Sequence, residues 1–241
     1  MKLPWHRKRP ALLAQVQADV EAFCPTLHVF DVGDRVTVRG TFPVRHDGEE
    51  LDHYAVQIDF PDDFPDSLPE VREVGGRIPW NGDRHVFTDG ACCVLLKEDR
   101  WWSFPPGTRF GLYLSGPLHN YFLGQTIVEA GGEWPFGVHE HGARGIVDFY
   151  TEKFGTNEPK LVIRFLRHIV DGRVRGHLHC PCESGKAIRQ CHPALIDVAR
   201  KMPAWGASES LDRLEKLLKP GPVQGNRANA FGERLSKQGT P

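Results

Sequence analysis

The six cysteines of the chain are grouped, and the grouping indicates chemistry or metal binding rather than a disulfide framework. Cys92 and Cys93 are adjacent, three more cysteines lie between residues 180 and 191, and Cys24 stands alone. A secreted disulfide framework would spread its cysteines across the loops of the chain. Because a thiolate is both a nucleophile and a metal ligand, the pair and the cluster each predict a functional feature.

The adjacent pair lies in residues 75–106, a stretch rich in Gly, Pro, Asp and Trp and without periodicity. A long irregular stretch within a compact domain usually carries function. A cysteine thiolate can accept an acyl group as a thioester, which keeps the acyl-transfer potential that an amide has lost. Gly90 lies three residues before Cys93 and allows a tight backbone path there.

The C-terminal cluster contains three thiolates and one imidazole, the tetrahedral set that suits Zn²⁺. The ligands are Cys180, Cys182, Cys191 and His192, with a turn at Gly185-Lys186 between them. Four protein ligands leave no open position, so the zinc is predicted to be structural and to stabilise a segment too small for its own core. The alternative is an ordinary helical hairpin that happens to contain cysteines. The spacing closely resembles the SEC-C motif, C-x-C-x(8)-C-[CH], and this resemblance implies a zinc knuckle that serves protein contacts.

The elements around these two groups form an α+β pattern. Alternation of apolar residues predicts four strands in a meander, and apolar spacing of three and four residues predicts helices before and after it. The predicted strands are Leu27–Val32, Arg35–Phe42, Asp52–Phe60 and Val71–Val74. The predicted helices are residues 10–23, Arg109–Leu123, Ala143–Phe154, Lys160–Asp171, Pro193–Lys201 and Ser208–Leu218.

These elements divide the chain into three parts. Residues 1–158 are predicted to form one α+β domain that contains the cysteine pair. Residues 159–219 are predicted to form a helical appendage with the zinc knuckle at about 177–195. The polar residues 220–241 are predicted to be a disordered tail.

Within residues 50–125, three segments in the same order resemble the ubiquitin-conjugating (UBC) family. Residues 54–71 resemble its third strand and the turn FP-x-x-YP-x-x-PP-x-V, with Phe64 in the place of Tyr and only Pro69 of the final pair. Residues 85–96 resemble its His-Pro-Asn segment followed by Gly-x-x-Cys, and residues 102–108 resemble its W-S-P-x-x-T segment.

The resemblance implies a UBC-like fold in which Cys93 receives a ubiquitin-like protein from an activating enzyme and passes it to a protein acceptor. His85 matches the family histidine, and Asp89 is a candidate for orienting or deprotonating the incoming amine. The family asparagine is missing, because His85 is followed by Val86 and Phe87. In this departure the chain resembles the bacterial relatives of conjugating enzymes more than the eukaryotic enzymes. Several of these bacterial proteins belong to antiphage operons.

Two other functions remain open. The chain could be a catalytically inactive UBC-like or RWD-like scaffold, in which Cys93 is incidental. It could also be a cysteine hydrolase that pairs Cys93 with His139 or His141. Cys92 is expected to pack into the interior. His85 has two possible roles, and a structural loop histidine that bonds to the backbone is expected ahead of a general base.

Composition limits the classes of partner. Across 241 residues the formal net charge is −1, so no global basic field draws the chain to nucleic acid or membrane. No apolar run reaches the roughly 18 residues that span a bilayer, and the N-terminus lacks a signal-peptide core. These features predict a cytoplasmic protein.

Overall fold

The computed structural model describes residues 3–136 and 143–218. The predicted tail, residues 220–241, and both His139 and His141 lie outside the described residues. The described residues contain four strands: β1 Leu27–Val32, β2 Arg35–His46, β3 Glu49–Asp59 and β4 Glu70–Glu73. Ten α-helical segments are described: α1 Trp5–Lys8, α2 Pro10–Phe23, α3 Arg100–Ser103, α4 Phe110–Tyr113, α5 His119–Glu129, α6 Ala143–Phe154, α7 Pro159–Val170, α8 Ile188–Cys191, α9 Ala194–Lys201 and α10 Ala204–Leu218.

The strands form one antiparallel sheet in the order β1-β2-β3-β4, so the predicted α+β class and four-stranded meander are confirmed. Val38 lies opposite Ile58, and Ile58 lies opposite Val71 in the next strand, which places three buried apolar side chains in one row. Alternate residues of a strand point to opposite faces, and this period places the apolar row against the helices.

The β2–β3 hairpin is longer than predicted, because the turn falls at Asp47-Gly48. Both residues have positive φ, 51° and 86°, which two-residue hairpin turns require and which an Asp-Gly pair favours. Strand β2 therefore continues to His46, and β3 begins at Glu49.

The predicted helix Arg109–Leu123 is divided. Pro117 has no backbone N–H, and the chain widens into a π-helical turn, Leu114–Leu118, between α4 and α5. Helix α10 begins at Ala204, four residues before the predicted start, and Ser210 inside it is buried with its Oγ 2.8 Å from the Tyr150 hydroxyl.

The part of the chain that the structure describes has two hydrophobic cores. The first lies between the inner face of the sheet and helices α2, α4 and α5, and it includes Cys92. The second joins α6, α7, α9 and α10 around the cysteine–histidine cluster and includes Trp101 from the irregular stretch. The sequence analysis places α6 in the first domain, residues 1–158. In the structure α6 packs in the second core, with the helices of the appendage. In the described part of the chain, no helix is both long and apolar enough to cross a bilayer.

Candidate functional site

The two adjacent cysteines have different environments. Cys92 is buried in the first core at 9% exposure, as the sequence predicts, whereas Cys93 is half-buried. The Cys92 N–H donates to the Val71 carbonyl at 2.7 Å, and the Cys93 N–H donates to the His85 carbonyl at 2.7 Å. The segment is thereby fixed to β4 on one side and to the preceding loop on the other, and Cys93 is the more exposed of the two residues.

A tight turn leads into the cysteine pair. The Gly90 N–H donates to the Phe87 carbonyl at 2.9 Å, and Phe87 N–H donates to the Ala91 carbonyl at 2.8 Å. Gly90 has φ +83°, and a Cβ added there would lie 2.7 Å from the Trp80 ring. Both the positive φ and the close ring require glycine at this position.

Asp89 belongs to the same turn. Its Oδ1 accepts a hydrogen bond from the Ala91 N–H at 3.1 Å, and the residue is exposed. This bond gives the carboxylate a structural role in the turn. Its proposed action on an incoming amine remains a prediction.

His85 follows a 3₁₀ turn, Gly82–Arg84, and has φ 51°. Its ring packs on Trp134 with 4.3 Å between centroids, while its carbonyl accepts the Cys93 N–H. These contacts fit the alternative of a structural loop histidine, since the backbone of His85 positions Cys93.

Helix α5 clamps the loop from the other side. Gln125 is fully buried, and its Oε1 accepts from Arg84 Nε at 2.7 Å while its Nε2 donates to the Arg84 carbonyl at 2.6 Å. The Tyr121 hydroxyl donates to the carbonyls of Arg84 and His85 at 3.3 and 3.4 Å. Sequence analysis missed this clamp, although a glutamine amid the apolar residues of a helix is the signal that could have revealed it.

Burial raises the pKa of the Cys93 thiol above its ordinary value. The positive charge of Arg213 lowers this pKa, and the charges of Cys92 and Glu98 raise it. Burial likewise raises the pKa of Cys92. At neutral pH both thiols are therefore mostly protonated, and the fraction of Cys93 thiolate increases as the pH rises.

The second candidate site is a metal centre. The ligand atoms of Cys180, Cys182, Cys191 and His192 all lie within 4.8 Å of one another. The Cys180 Sγ is 3.2 Å from His192 Nδ1, and the Cys182 and Cys191 Sγ atoms are 3.4 Å apart. Zinc–ligand bonds of about 2.0–2.3 Å in a tetrahedron put ligand atoms roughly 3.5 Å apart. The cluster confirms that the predicted ligands meet and that they can hold a metal ion.

A short hairpin carries two of these ligands. Cys180 N–H donates to the Lys186 carbonyl at 2.8 Å, and the turn between them contains Glu183 and Gly185, both with positive φ. Helix α8 and the residue after it supply Cys191 and His192.

The second core supports the metal centre. The His192 ring lies 5.0 Å from the Phe165 ring on α7, and Arg164 forms an ion pair with Glu183 at 3.0 Å. Ile188 and Cys180 are buried among the core side chains. Metal binding would therefore stabilise α7 and α8 against each other.

The described residues bring together Cys93, His85 and Asp89 in one loop and the four metal ligands in another. Sequence analysis missed Glu98, which lies in the same irregular stretch as Cys93, and it missed Arg213 and Gln125, which reach this stretch from distant helices. No family model, curated protein or solved structure matches this chain.

Proposed function

We propose that this chain is a ubiquitin-like protein conjugating enzyme with a UBC-like fold, in which Cys93 carries the acyl group. One observation carries the proposal: Cys93 is half-buried on a turn anchored to β4, while its neighbour Cys92 is buried in the core. A carrier thiol needs both a fixed position and access for the extended end of another protein.

The reaction has two acyl transfers. The Cys93 thiolate attacks the carbonyl carbon of an incoming thioester, a new S–C bond forms, and the sulfur of the activating enzyme leaves as a thiolate. An amine of the acceptor protein then attacks the Cys93 thioester. The amide bond forms, the amine nitrogen loses a proton, and the Cys93 thiolate is released.

The proposed metal is structural Zn²⁺. Three cysteines and one histidine fill a tetrahedral site and leave no position for substrate, so the knuckle serves stability and docking of a partner. Both sites need reduced cysteines, which favours action in the cytoplasm. Several of the bacterial conjugating-enzyme relatives that the sequence resembles occur in antiphage operons, so the proposed role of the conjugation system is antiviral defence.

A binding scaffold is the second candidate function. The raised pKa of Cys93 favours it, because a mostly protonated thiol is a poor nucleophile at neutral pH. The absence of the family asparagine favours it as well. No contact among the described residues favours the hydrolase.

The test combines the chain with ATP, a bacterial activating enzyme and the ubiquitin-like protein that this enzyme charges. A conjugating enzyme should give a band on non-reducing gels that is larger by one ubiquitin-like protein and disappears on reduction. Cys93→Ala should abolish the band. Cys93→Ser should give an ester that resists thiols but is cleaved by mild base.

Cys92→Ala is the matched control, because it removes the neighbouring thiol and should leave the band. A band that survives Cys93→Ala would place the acyl group on another cysteine and reject the role of Cys93, whereas no band with an activating enzyme that charges its own cysteine would leave the scaffold as the function.

A further inference from the structure

The net charge of −1 conceals a separation of charge along the chain. Residues 1–158 contain fifteen lysines and arginines against twenty-four aspartates and glutamates, whereas residues 159–219 contain twelve against six. The first part therefore has a formal charge of −9 and the second a formal charge of +6. A local positive field on a chain that is nearly neutral as a whole favours a polyanionic partner for the second part.

Much of this positive charge lies on one hairpin beside the metal centre, residues 173–189, which we name the basic hairpin. Backbone hydrogen bonds join its two sides: Arg189 N–H to the Gly176 carbonyl at 3.0 Å, Ile188 N–H to the Leu178 carbonyl at 2.9 Å and Cys180 N–H to the Lys186 carbonyl at 2.8 Å. The Ile188 side chain is fully buried in the second core. The hairpin is therefore fixed on the second core by its inner face.

Three exposed cations of the basic hairpin form no ion pair with any residue that the structure describes. They are Arg175, Lys186 and Arg189, and none of them is a metal ligand. A Cβ added at Gly176 would lie 3.5 Å from the Arg189 Cβ, so the Arg189 side chain begins next to the residue that follows Arg175. The cations are thus close neighbours on one surface.

The acidic residues of the same region are paired with other arginines. Glu183, in the turn of the hairpin, forms an ion pair with Arg164 of α7 at 3.0 Å. Asp171 forms one with Arg173 at 3.7 Å. Neither carboxylate offsets the three exposed cations, so this surface attracts a polyanion, whose binding releases condensed counterions.

Exposed imidazole rings accompany the cations. The Leu178 N–H donates to the Arg175 carbonyl at 3.0 Å and closes a turn, and His177 lies within this turn. Both His177 and His179 are exposed. Unstacked nucleic-acid bases stack on histidine rings and on guanidinium planes, so the turn offers a base a place beside the phosphate-binding cations.

The composition of this surface favours nucleic acid over an acidic protein. Protein interfaces are centred on buried aromatic or aliphatic anchors and are poor in lysine, whereas nucleic-acid interfaces are much more positively charged. Within residues 173–189, all of which the structure describes, Leu178 is the one exposed large apolar side chain, at 39%. The same lack of an apolar face argues against a membrane surface.

We propose that the basic hairpin binds a single-stranded nucleic acid. Arg175, Lys186 and Arg189 contact phosphates, and His177 stacks on a base. The acidic first part of the chain repels the polyanion and confines it to the appendage. The proposal is independent of the chemistry of Cys93, because it needs neither a thioester nor a ubiquitin-like protein.

The test measures binding of the full chain to a fluorescein-labelled oligothymidine of about 20 nucleotides by fluorescence anisotropy. The dissociation constant is determined from about 50 to about 200 mM NaCl, at pH 8, which lies above the ordinary pKa of imidazole. Three phosphate contacts predict a slope of about −2 for the logarithm of the binding constant against that of the salt concentration. The affinity should therefore fall roughly twentyfold over this range.

The hairpin variant combines Arg175→Gln, Lys186→Gln and Arg189→Gln. It should bring the salt slope close to zero and weaken binding at least about tenfold at the lowest salt concentration. Arg175→Lys with Arg189→Lys keeps all three charges and should keep the slope. His177→Ala removes a stacking ring and should weaken binding by about fivefold or more without changing the slope.

Arg35→Gln, Arg39→Gln and Lys8→Gln together are the matched control, because they remove the same three charges from exposed positions of β2 and α1. This control should keep the parent slope and lose less than about twofold in affinity, since salt screens charges that lie farther than a Debye length from the bound strand. Every variant must match the parent in metal content and in circular dichroism. If the hairpin variant fails this check, Lys186→Gln alone should lower the slope by about 0.7.

A loss of slope that is confined to the hairpin variant supports the proposal. No binding at the lowest salt concentration, or the parent slope in the hairpin variant, overturns it. Polyglutamate has no bases to stack, so at equal charge it should compete at least about fivefold more weakly than unlabelled oligothymidine. Equal competition would assign the surface to an acidic protein, equal binding to phosphatidylserine vesicles would assign it to a membrane, and either result overturns the proposal.

Discussion

In the turn that leads into the cysteine pair, residues 87–91, both the backbone conformation and a neighbouring ring require glycine at position 90. Its φ of +83° lies in the left-handed region, and the Trp80 ring occupies the space that a Cβ would need. The Trp80 side chain is 62% exposed, so the ring is free to move only toward solvent. A larger residue at position 90 would both strain the backbone and displace the Trp80 ring.

Gly90→Ala should therefore destabilise the chain and disturb Cys93. We expect a loss of about 2–3 kcal/mol in the free energy of unfolding, from backbone strain and from the displaced ring. Urea denaturation measures this loss, and iodoacetamide reports whether Cys93 has changed its reactivity.

Gly33→Ala is the control for backbone strain alone. Gly33 also has positive φ, +63°, but no atom lies within 4 Å of an added Cβ. It should cost only about 1 kcal/mol and leave Cys93 reactivity unchanged. Equal losses for the two variants would show that the Trp80 contact is unimportant.

Single residues differ in how far their role can be predicted from sequence. The four metal ligands could be predicted because they lie within thirteen residues and their spacing alone brings them together. Arg213 and Glu98 could not, since the contact between them depends on how α10 packs on the cysteine loop. Pattern analysis finds local geometry and misses partners that only tertiary packing brings together.

At the scale of elements, α5 is the support on which the cysteine loop rests. Gln125 forms two hydrogen bonds to Arg84, one to its side chain and one to its carbonyl. The loop is thereby held by a helix that lies about 40 residues further along the chain.

Gln125→Leu should release this support. Leucine has similar volume but no polar atoms, so both hydrogen bonds to Arg84 are lost, although Tyr121 still contacts the Arg84 carbonyl and Glu129 its guanidinium. We expect a loss of about 2–3 kcal/mol in the free energy of unfolding and faster hydrogen exchange at the amides of residues 84–93.

Gln17→Leu, on the exposed face of α2, is the matched control. It should change the free energy of unfolding by less than about 0.5 kcal/mol and leave exchange in the loop unchanged. Unchanged exchange at the Cys93 amide in Gln125→Leu would contradict the role of α5 as the support.

The strands were more predictable than their ends. Alternation of Tyr54, Val56 and Ile58 specified one buried face of β3, and the structure has all three buried. The alternation did not continue through Arg45 and His46, where the hairpin extends beyond the core and both faces are exposed. Burial creates the apolar pattern, so a strand that leaves the core loses its signal.

At the scale of the whole molecule, the two cores meet at the irregular stretch that carries Cys93. Trp101 extends from this stretch into the second core, and Tyr150 and Ser210 bind α6 to α10 within it. The same core includes Cys180 and contacts the other metal ligands. The metal centre, α10 and the environment of Cys93 are therefore parts of one packed structure.

This continuity gives metal removal a predictable effect on Cys93. If the cluster holds the proposed zinc, Cys182→Ser or a strong chelator should remove it and lower the melting temperature of the chain by about 15 °C or more, because the second core loses its ligand-bound hairpin. As α10 loosens, Cys93 loses the burial that raises its pKa, so its alkylation at pH 7.5 should accelerate several-fold. Metal analysis, differential scanning calorimetry and the alkylation rate test these three steps in order.

His179→Gln is the matched control, since His179 is exposed beside the hairpin but does not belong to the ligand cluster. It should keep one zinc per chain, the parent melting temperature and the parent alkylation rate. If Cys182→Ser retained its zinc like His179→Gln, the assigned ligand set would be wrong. If it lost zinc and melted early while Cys93 alkylation stayed at the parent rate, the metal centre would stabilise the second core without reaching the cysteine loop, and the coupling through α10 would fail.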